Sequence, residues 1–349
     1  MIDWRTLGTL FTSSYSASVS FHRRDELVVK RGRKVVEARR VLRHALWRRL
    51  LIDSVWATIA RDESIIMRDV KGVSSSGFKI DVFRPGDAVG VSGLFKEVYG
   101  DGYPVKIVYD PEEFTRAVDR QEYIPVVART PEGGIVGFSS FYRSAPNKRL
   151  YEMGLSMVSA GYRSTAVLGL LVRRLVKVAL ASPCLDAFFG EVVCNHVLMQ
   201  KSSGVFKAVE TAIEIDLMPS EAYEKDENVS GRVSTVVSTR TIVPRPHTIR
   251  VPEVYGDYLA YIYNAFDDSR AFERSDERLP DDRSTEFTVQ IFEGAGVARI
   301  TVNEAGSDFE TVLDSEEKAA RSRGVTVTQV WLNLSWPWVG GCVEALRSR

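Results

Sequence analysis

From residue 78 onward, apolar positions follow two periods that predict alternating strands and helices. FKIDVFR (78–84), YIPVVART (123–130), GIVGFSSFYRS (134–144) and YEMGLSMVS (151–159) are short apolar or β-branched runs bounded by turn formers, as in strands. The second and third are joined by the turn PEGG (131–134). GDAVGVSGLFKEVYG (86–100) and DPEEFTRAVDR (110–120) instead read as helices, the latter opened by Asp110 as N-cap with Pro111 in the first position. A third helix opens near Thr165, with Val167, Leu168, Leu171, Val172, Leu175 and Val176 on one stripe. The strand AFFGEVVC (187–194), a helix from about Leu198 to Val209 and the strand AIEIDLM (212–218) follow. The order βααβββαβαβ predicts a mixed α/β fold around one sheet.

A loop, EKDENVSGR (224–232), separates a second run of elements. It begins near HTIRVPEVY (247–255) and continues through a helix, YGDYLAYIYNAF, to strands around EFTVQIFEGAGVARITV (286–302). A helix over 308–324, the strand TVTQVWLNL (326–334) and the helix-like GGCVEALRSR (340–349) complete it. The first order recurs in shortened form, which predicts an internal structural duplication. Ahead of both units, Ala38, Leu42, Leu46 and Leu50 form a helical stripe flanked by Trp47, Leu51 and Val55. GVSSSGF (72–78) has the composition of a flexible linker. The expected domains are therefore a basic helical segment over 1–75, a unit over 78–220 and a smaller unit over 245–349.

Composition narrows the function classes. The 349 residues carry 46 basic and 46 acidic side chains, so overall charge gives no reason to expect a nucleic-acid or acidic partner. The exception is local: Phe21 to Leu50 holds eleven Lys/Arg against three Asp/Glu. That segment could dock with its arginines in solvent, contact an anionic surface, or mediate self-association as a homodimer. The longest apolar runs are too short to span a bilayer, and the first residues make a poor signal peptide. Three cysteines, Cys184, Cys194 and Cys342, form no spaced motif and read as buried thiols in a reducing, cytoplasmic setting. The four histidines are scattered and make no metal set.

The candidate chemistry lies where Met157 and Val158 run into Tyr162, Arg163, Ser164, Thr165, Ala166, Val167 and Leu168. A strand, a polar turn and a helix start can hold an anion, because the first helical amides have no partner within the helix. The plainer reading is a strand-to-helix turn capped by Thr165. This stretch resembles the GNAT superfamily of acyl-CoA-dependent N-acyltransferases. That family's signature is a strand ending in V-x-P, then Q/R-x-x-G-x-G/A. Here Val158-Ser159-Ala160 and Arg163 to Leu168 take those places, with Ala160 for the proline and Ala166 and Leu168 for the glycines. FKIDVFRPGDAVGVSGLFKEVYGDGYP (78–104) resembles the family's first strand and helix, and EVVCNHVLMQ (191–200) and ETAIEIDLMP (210–219) resemble a tandem subfamily.

The resemblance implies a GNAT-like unit followed by a second, shortened and degenerate one. It also implies that acetyl-CoA or another acyl-CoA lies between two parallel strands that splay apart, with no metal. Met157 and Val158 would stand near the thioester, and Arg163, Ser164, Thr165, Ala166, Val167 and Leu168 would form the cofactor loop. The acceptor would be an amine on a small molecule or a protein. Glu152 or Glu191 would take its proton, against the plainer reading of both as solvated strand-end charges. The alternative is a catalytically silent binding or scaffold protein on the same fold, since both loop glycines are replaced.

The linker generates a first prediction. A chain lacking residues 1–75 is expected to fold, giving a cooperative thermal melt and a monodisperse elution profile. Aggregation of the truncated chain would mean that the Leu42, Leu46 and Leu50 stripe belongs to the core.

Overall fold

The computed structural model describes residues 77–103, 105–163, 166–194, 200, 207–219, 231–266 and 268–349, together with three strands within 17–36. The chain divides into two compact units, Met1–Ile66 and Met67–Arg349. In the first, β1 (Ala17–His22), β2 (Glu26–Arg31) and β3 (Lys34–Val36) form an antiparallel sheet. From residue 37 on, the helix expected over Val35 to Ala60 lies outside the described residues, as does the linker up to residue 76. Among the described residues no helix is long and apolar enough to cross a membrane.

The second unit is built on a seven-stranded sheet. Its members are β4 (Lys79–Val82), β5 (Tyr123–Arg129), β6 (Ile135–Tyr142), β7 (Leu150–Val158), β8 (Ala187–Val193), β9 (Val209–Pro219) and β10 (Arg232–Thr241). The order is β4-β5-β6-β7-β8-β10-β9, and all neighbours are antiparallel except β7 and β8. β10 was not read from the sequence. It sits between β8 and β9, so the sheet continues past residue 220 to Thr241. The helix expected over 198–209 falls largely outside the described residues, and Val209 begins a strand.

Helices α1 (Ala88–Tyr99), α2 (Pro111–Asp119) and α3 (Val167–Ala181) cover the sheet. The α2 start follows its sequence signal: the Asp110 carboxylate accepts from the Glu112 and Glu113 amides at 3.1 and 3.0 Å. α3 packs on one face through Leu171, Leu175, Phe141, Tyr151 and Phe188. α1 and α2 pack on the other through Phe95, Phe114, Val127 and Phe138. At Gly137 the approach of α3 is close: a Cβ there would lie 2.8 Å from Val167 Cγ1 and 2.9 Å from Leu171 Cδ1.

β7 changes face partway along. Tyr151 packs with the α3 cluster, whereas Leu155 and Met157 join the α1–α2 cluster. Strict alternation would put all three on one side. The switch is a β-bulge: Ser140 faces Gly154 and Phe138 faces Met157, so β7 carries one extra residue. Leu155 takes φ = 53°, a left-handed conformation that costs a non-glycine residue about 1–2 kcal/mol.

β7 and β8 pair over only three residues, Leu150↔Ala187, Tyr151↔Phe188 and Glu152↔Phe189. Their paired end is clamped. The Arg149 fork donates to both Asp186 oxygens at 2.6 Å, the Asp186 amide donates to the Arg149 carbonyl, and Arg245 reaches Asp186 at 2.7 Å. These guanidinium contacts hold the Asp186 carboxyl below its ordinary range.

The remaining elements follow in two groups. β11 (His247–Val251) and β12 (Arg270–Arg274) are parallel, with α4 (Gly256–Asn264) between them. β13 (Glu286–Phe292), β14 (Val297–Glu304) and β15 (Val327–Trp331) form a sheet in which β14 and β15 are parallel across α5 (Phe309–Ser322). α6 (Val339–Arg347) closes that core with Cys342 and Ala345. Hairpin, helix and parallel strand thus occur in the same order at β6–β7–α3–β8 and at β13–β14–α5–β15.

Gly137→Ala is expected to destabilise the chain by about 1–3 kcal/mol, because the new methyl must displace Val167 and Leu171 at the start of α3. Urea unfolding checks this. An unchanged midpoint would show that α3 can move off the sheet without cost.

Candidate active site

Beyond Glu152 and Phe189 no strand pairing links β7 to β8, although β7 stays paired with β6 to Val158 and β8 with β10 to Val193. The central sheet therefore has a parting between two parallel strands, toward their carboxyl ends. The loop after β7 and the first turn of α3 follow directly from it. Ligands of mixed sheets collect at such places, where backbone groups have no strand partner and a helix start is near.

The predicted loop residues do not all serve alike. Met157 and Val158 are buried at the end of β7, on opposite faces, so only their backbone can meet a ligand in the parting. Arg163 is exposed, and its Nε donates to the Val158 carbonyl at 3.2 Å, which draws this cation back over the strand end. Ser164 and Thr165 lie outside the described residues. Ala166 precedes α3, and its carbonyl accepts from the Leu170 amide at 3.0 Å. Val167 is fully buried, and Leu168, half-buried, packs against the α3 cluster. A leucine in the glycine position is thus accommodated by turning inward. The Glu97 carboxylate of α1 occupies the near side of the loop, accepting from Ser159 Oγ at 2.8 Å and from the Ala160 amide at 3.3 Å.

Glu152 and Glu191 are not solvated strand-end charges. Glu152 is buried and Glu191 mostly covered on the sheet face away from α3, where two further charged groups join them. The Tyr142 hydroxyl donates to Glu152 Oε1. Arg299, brought by β14, donates Nη2 to Glu191 Oε1 at 3.2 Å, Nη1 to the Ser144 carbonyl at 3.2 Å and Nε to Gln329 Oε1 at 2.9 Å. Gln329 donates in turn to Glu214 of β9, whose other oxygen accepts from Thr235 at 2.9 Å. The Arg299 guanidinium lies 5.5 Å from the Phe292 ring centroid and 5.4 Å from that of Trp331.

Three carboxylates and one guanidinium in a buried space leave excess negative charge, and the electrostatics follow. Burial pushes the Glu191 carboxyl well above its ordinary range, and the charges of Glu152 and Glu214 add to that against the pull of Arg299. Burial likewise raises Glu152, opposed by the Tyr142 hydroxyl and by Arg299. The Tyr142 hydroxyl is raised far as well, by burial first and then by Glu152.

The two carboxylates differ in access. A cavity of about 200 Å³ is lined by Leu150, Phe189, Glu191, Glu214, Val237, Thr239 and Trp331. Glu191 is in its wall and Glu152 is not. A larger hollow, about 380 Å³, lies between the starts of α1 and α2 at Pro85, Pro111 and Arg116 and shares no residue with the parting strands. Cys194, read as a buried thiol, is exposed at the end of β8, because the chain leaves the sheet there.

Arg299, Trp331, Glu214 and Tyr142 were not found in the sequence. For Glu214 a signal existed but points the wrong way. In AIEIDLM the isoleucines look inward, yet Ile213 and Ile215 are 42% and 62% exposed while Glu214 lines the cavity. Nothing in the sequence joins Arg299 to Glu191, 108 residues away.

No family model matches the chain, and no curated protein matches it. Among solved structures it is similar to an N-acetyltransferase from Staphylococcus aureus Mu50, at 12% identity and a TM-score of 0.38, covering 47% of this chain and 98% of that one. It is also similar to an acetyltransferase of the GNAT family from Streptococcus pneumoniae, at 14% identity and a TM-score of 0.39, covering 47% and 99%. A third is yncA, a putative acetyltransferase from Salmonella typhimurium with its cofactor acetyl-CoA, at 12% identity and a TM-score of 0.38, covering 48% and 95%. Likeness of this degree carries no chemistry across.

The raised Glu191 carboxyl sets a pH dependence of stability. A group whose pKa is higher folded than unfolded contributes stability fully below its unfolded value, about 4.3, and loses it as pH rises through the folded value. Wild-type stability is therefore expected to fall from mildly acidic pH upward. Glu191→Gln, which mimics the protonated form, should match wild type near pH 4 and exceed it in alkali. Urea midpoints across that range check this, and parallel curves for the two proteins would contradict it.

Proposed function

We propose that the unit built on β4–β10 is a GNAT-type N-acyltransferase, moving an acetyl or other acyl group from acyl-CoA to an amine. The observation that carries this reading is the parting of β7 and β8 beside a cavity walled by Glu191. A thioester seated in the parting would meet backbone amides of β7 beyond the bulge, and an N–H aimed at its carbonyl oxygen stabilises the negative charge that develops on attack. The acceptor would enter from the cavity. Glu191 would take the proton as the amine nitrogen bonds to the acyl carbon, and collapse of the intermediate would expel the CoA thiolate. A carboxylate pushed upward suits that task, because a base works best with a pKa near the operating pH. Glu152, out of reach behind Tyr142, would act through its charge on Glu191.

Arg163 and the first turn of α3 are the groups for the phosphates of the cofactor. The segment over 245–349 is read as a shortened repeat that lost its own cofactor loop and walls the acceptor site instead. Its parallel pair β14–β15 supports this, since it remains paired over five residues to the end of β15 and leaves no parting. One observation favours a silent scaffold on the same fold. The Ala160 amide already has an anion, the Glu97 carboxylate, where an incoming phosphate group would be repelled.

Calorimetry with acetyl-CoA, and release of free CoA thiol in the presence of primary amines, separate the two. The acyltransferase reading expects heat that weakens on Arg163→Ala. It also expects turnover that drops by about 10²–10⁴-fold in Glu191→Gln, the range of general-base catalysis. No heat at millimolar acetyl-CoA, in a chain that melts cooperatively, would leave the scaffold.

A further inference from the structure

We infer that Arg299, carried by β14, is the positioning residue for the base: its guanidinium, bound on three segments, holds the Glu191 carboxylate at the cavity wall. This deepens the acyltransferase reading and rests on it for the word base; the effect on the pair stands on geometry.

The Arg299 side chain is 7% exposed and that of Glu191 14%, so each charge has little solvent around it and depends on its partners. Each of its three nitrogens has a partner on a different segment. Nη2 binds Glu191 on β8, Nη1 the Ser144 carbonyl between β6 and β7, and Nε Gln329 on β15. The guanidinium carbon also lies over the Phe292 and Trp331 rings. Such a group has little freedom, so the carboxylate it binds is held in one place. Trp331 in turn packs on Phe189, one ring centroid 5.9 Å from the other, and both line the cavity.

The groups facing the pair are Tyr142 from β6, Glu214 from β9, Arg299 from β14 and, at longer range, Tyr103 and Tyr123. Gln329 and Thr235 bring neutral donors to Glu214. Among the described residues Arg299 is the one cation paired with these carboxylates. Burial and mutual repulsion both favour protons on the pair, and the guanidinium opposes them. Removing it should raise the carboxyl further, so that it holds its own proton over a wider pH range and accepts one from an amine less readily. A plain brace between β8 and β14 would cost stability equally at every pH, without moving the titration.

The test is the pH titration of the glutamate side-chain carbonyls in the full chain, ¹³C-labelled at Cδ and assigned with Glu152→Gln and Glu191→Gln. Arg299→Met is expected to raise the midpoints of the pair by about 1–3 pH units, the effect of losing an opposite charge at contact distance. Arg299→Lys keeps the charge but not the three-way fork, and should fold and shift them by less. If Arg299→Met does not fold, the lysine variant decides: a midpoint left at the wild-type value overturns the inference. In turnover, the acidic limb of kcat should move up with the titration while KM for acetyl-CoA stays put; a raised KM with a fixed limb would mean structural support only. The titration needs no substrate. Absence of acyl transfer would remove the acyltransferase reading, and unmoved midpoints would remove this one.

Discussion

The second unit depends on a strand pair that is allowed to form at one end and prevented from forming at the other. At the closed end, the Arg149–Asp186 fork and the Arg149 carbonyl fasten the first residues of β7 and β8. Beyond Glu152 the strands part, and the bulge around Leu155 turns β7 so that Leu155 and Met157 enter the α1–α2 core instead of the α3 core. A straight, regular β7 would keep alternating and would expose one core to the other's side chains. The left-handed Leu155 is a local cost met by the burial of its own side chain. The parting is therefore a consequence of how two cores share one strand, and it leaves backbone groups open at the centre of the sheet.

The same strands carry the charge problem. Glu152 and Glu191 lie on the face that α3 does not cover, and β9 and β10 extend that face with Glu214 and Thr235. The sheet alone would present three carboxylates to solvent. β13, β14 and β15 cover them with the Phe292 ring, Arg299, Gln329 and Trp331, which converts an open acidic face into a largely covered and partly neutralised one. Burial is what raises the carboxyls, and the single guanidinium limits how far they rise. Strands β13 to β15 thus contribute to the electrostatics of a site whose β7 and β8 belong to the seven-stranded sheet.

The elements were largely legible from the chain. The strands β4 to β8, the Asp110 cap and the helices α1, α2 and α3 follow from local periodicity and capping, which act within a few residues. β10 was missed because RVSTVVSTRT is rich in serine and threonine and shows no clear apolar face; it is held by neighbours on both edges. β9 was found, but its orientation inverts. Its isoleucines meet solvent and its glutamate meets the cavity, because Gln329 and Thr235 give the carboxylate better partners than water-exposed placement would suggest.

The candidate site divides the same way. Sequence alone determined that a strand, a turn and a helix meet at Val158 to Leu168, that Glu152 and Glu191 lie on strands of that sheet, and that two loop glycines are absent. These are properties of near neighbours in the chain. Only the tertiary structure decided that Leu168 turns into the core, that Glu191 reaches a cavity while Glu152 does not, and that Arg299 binds Glu191. Those outcomes depend on desolvation and on contacts between residues tens to hundreds of positions apart, and neither leaves a local pattern to read.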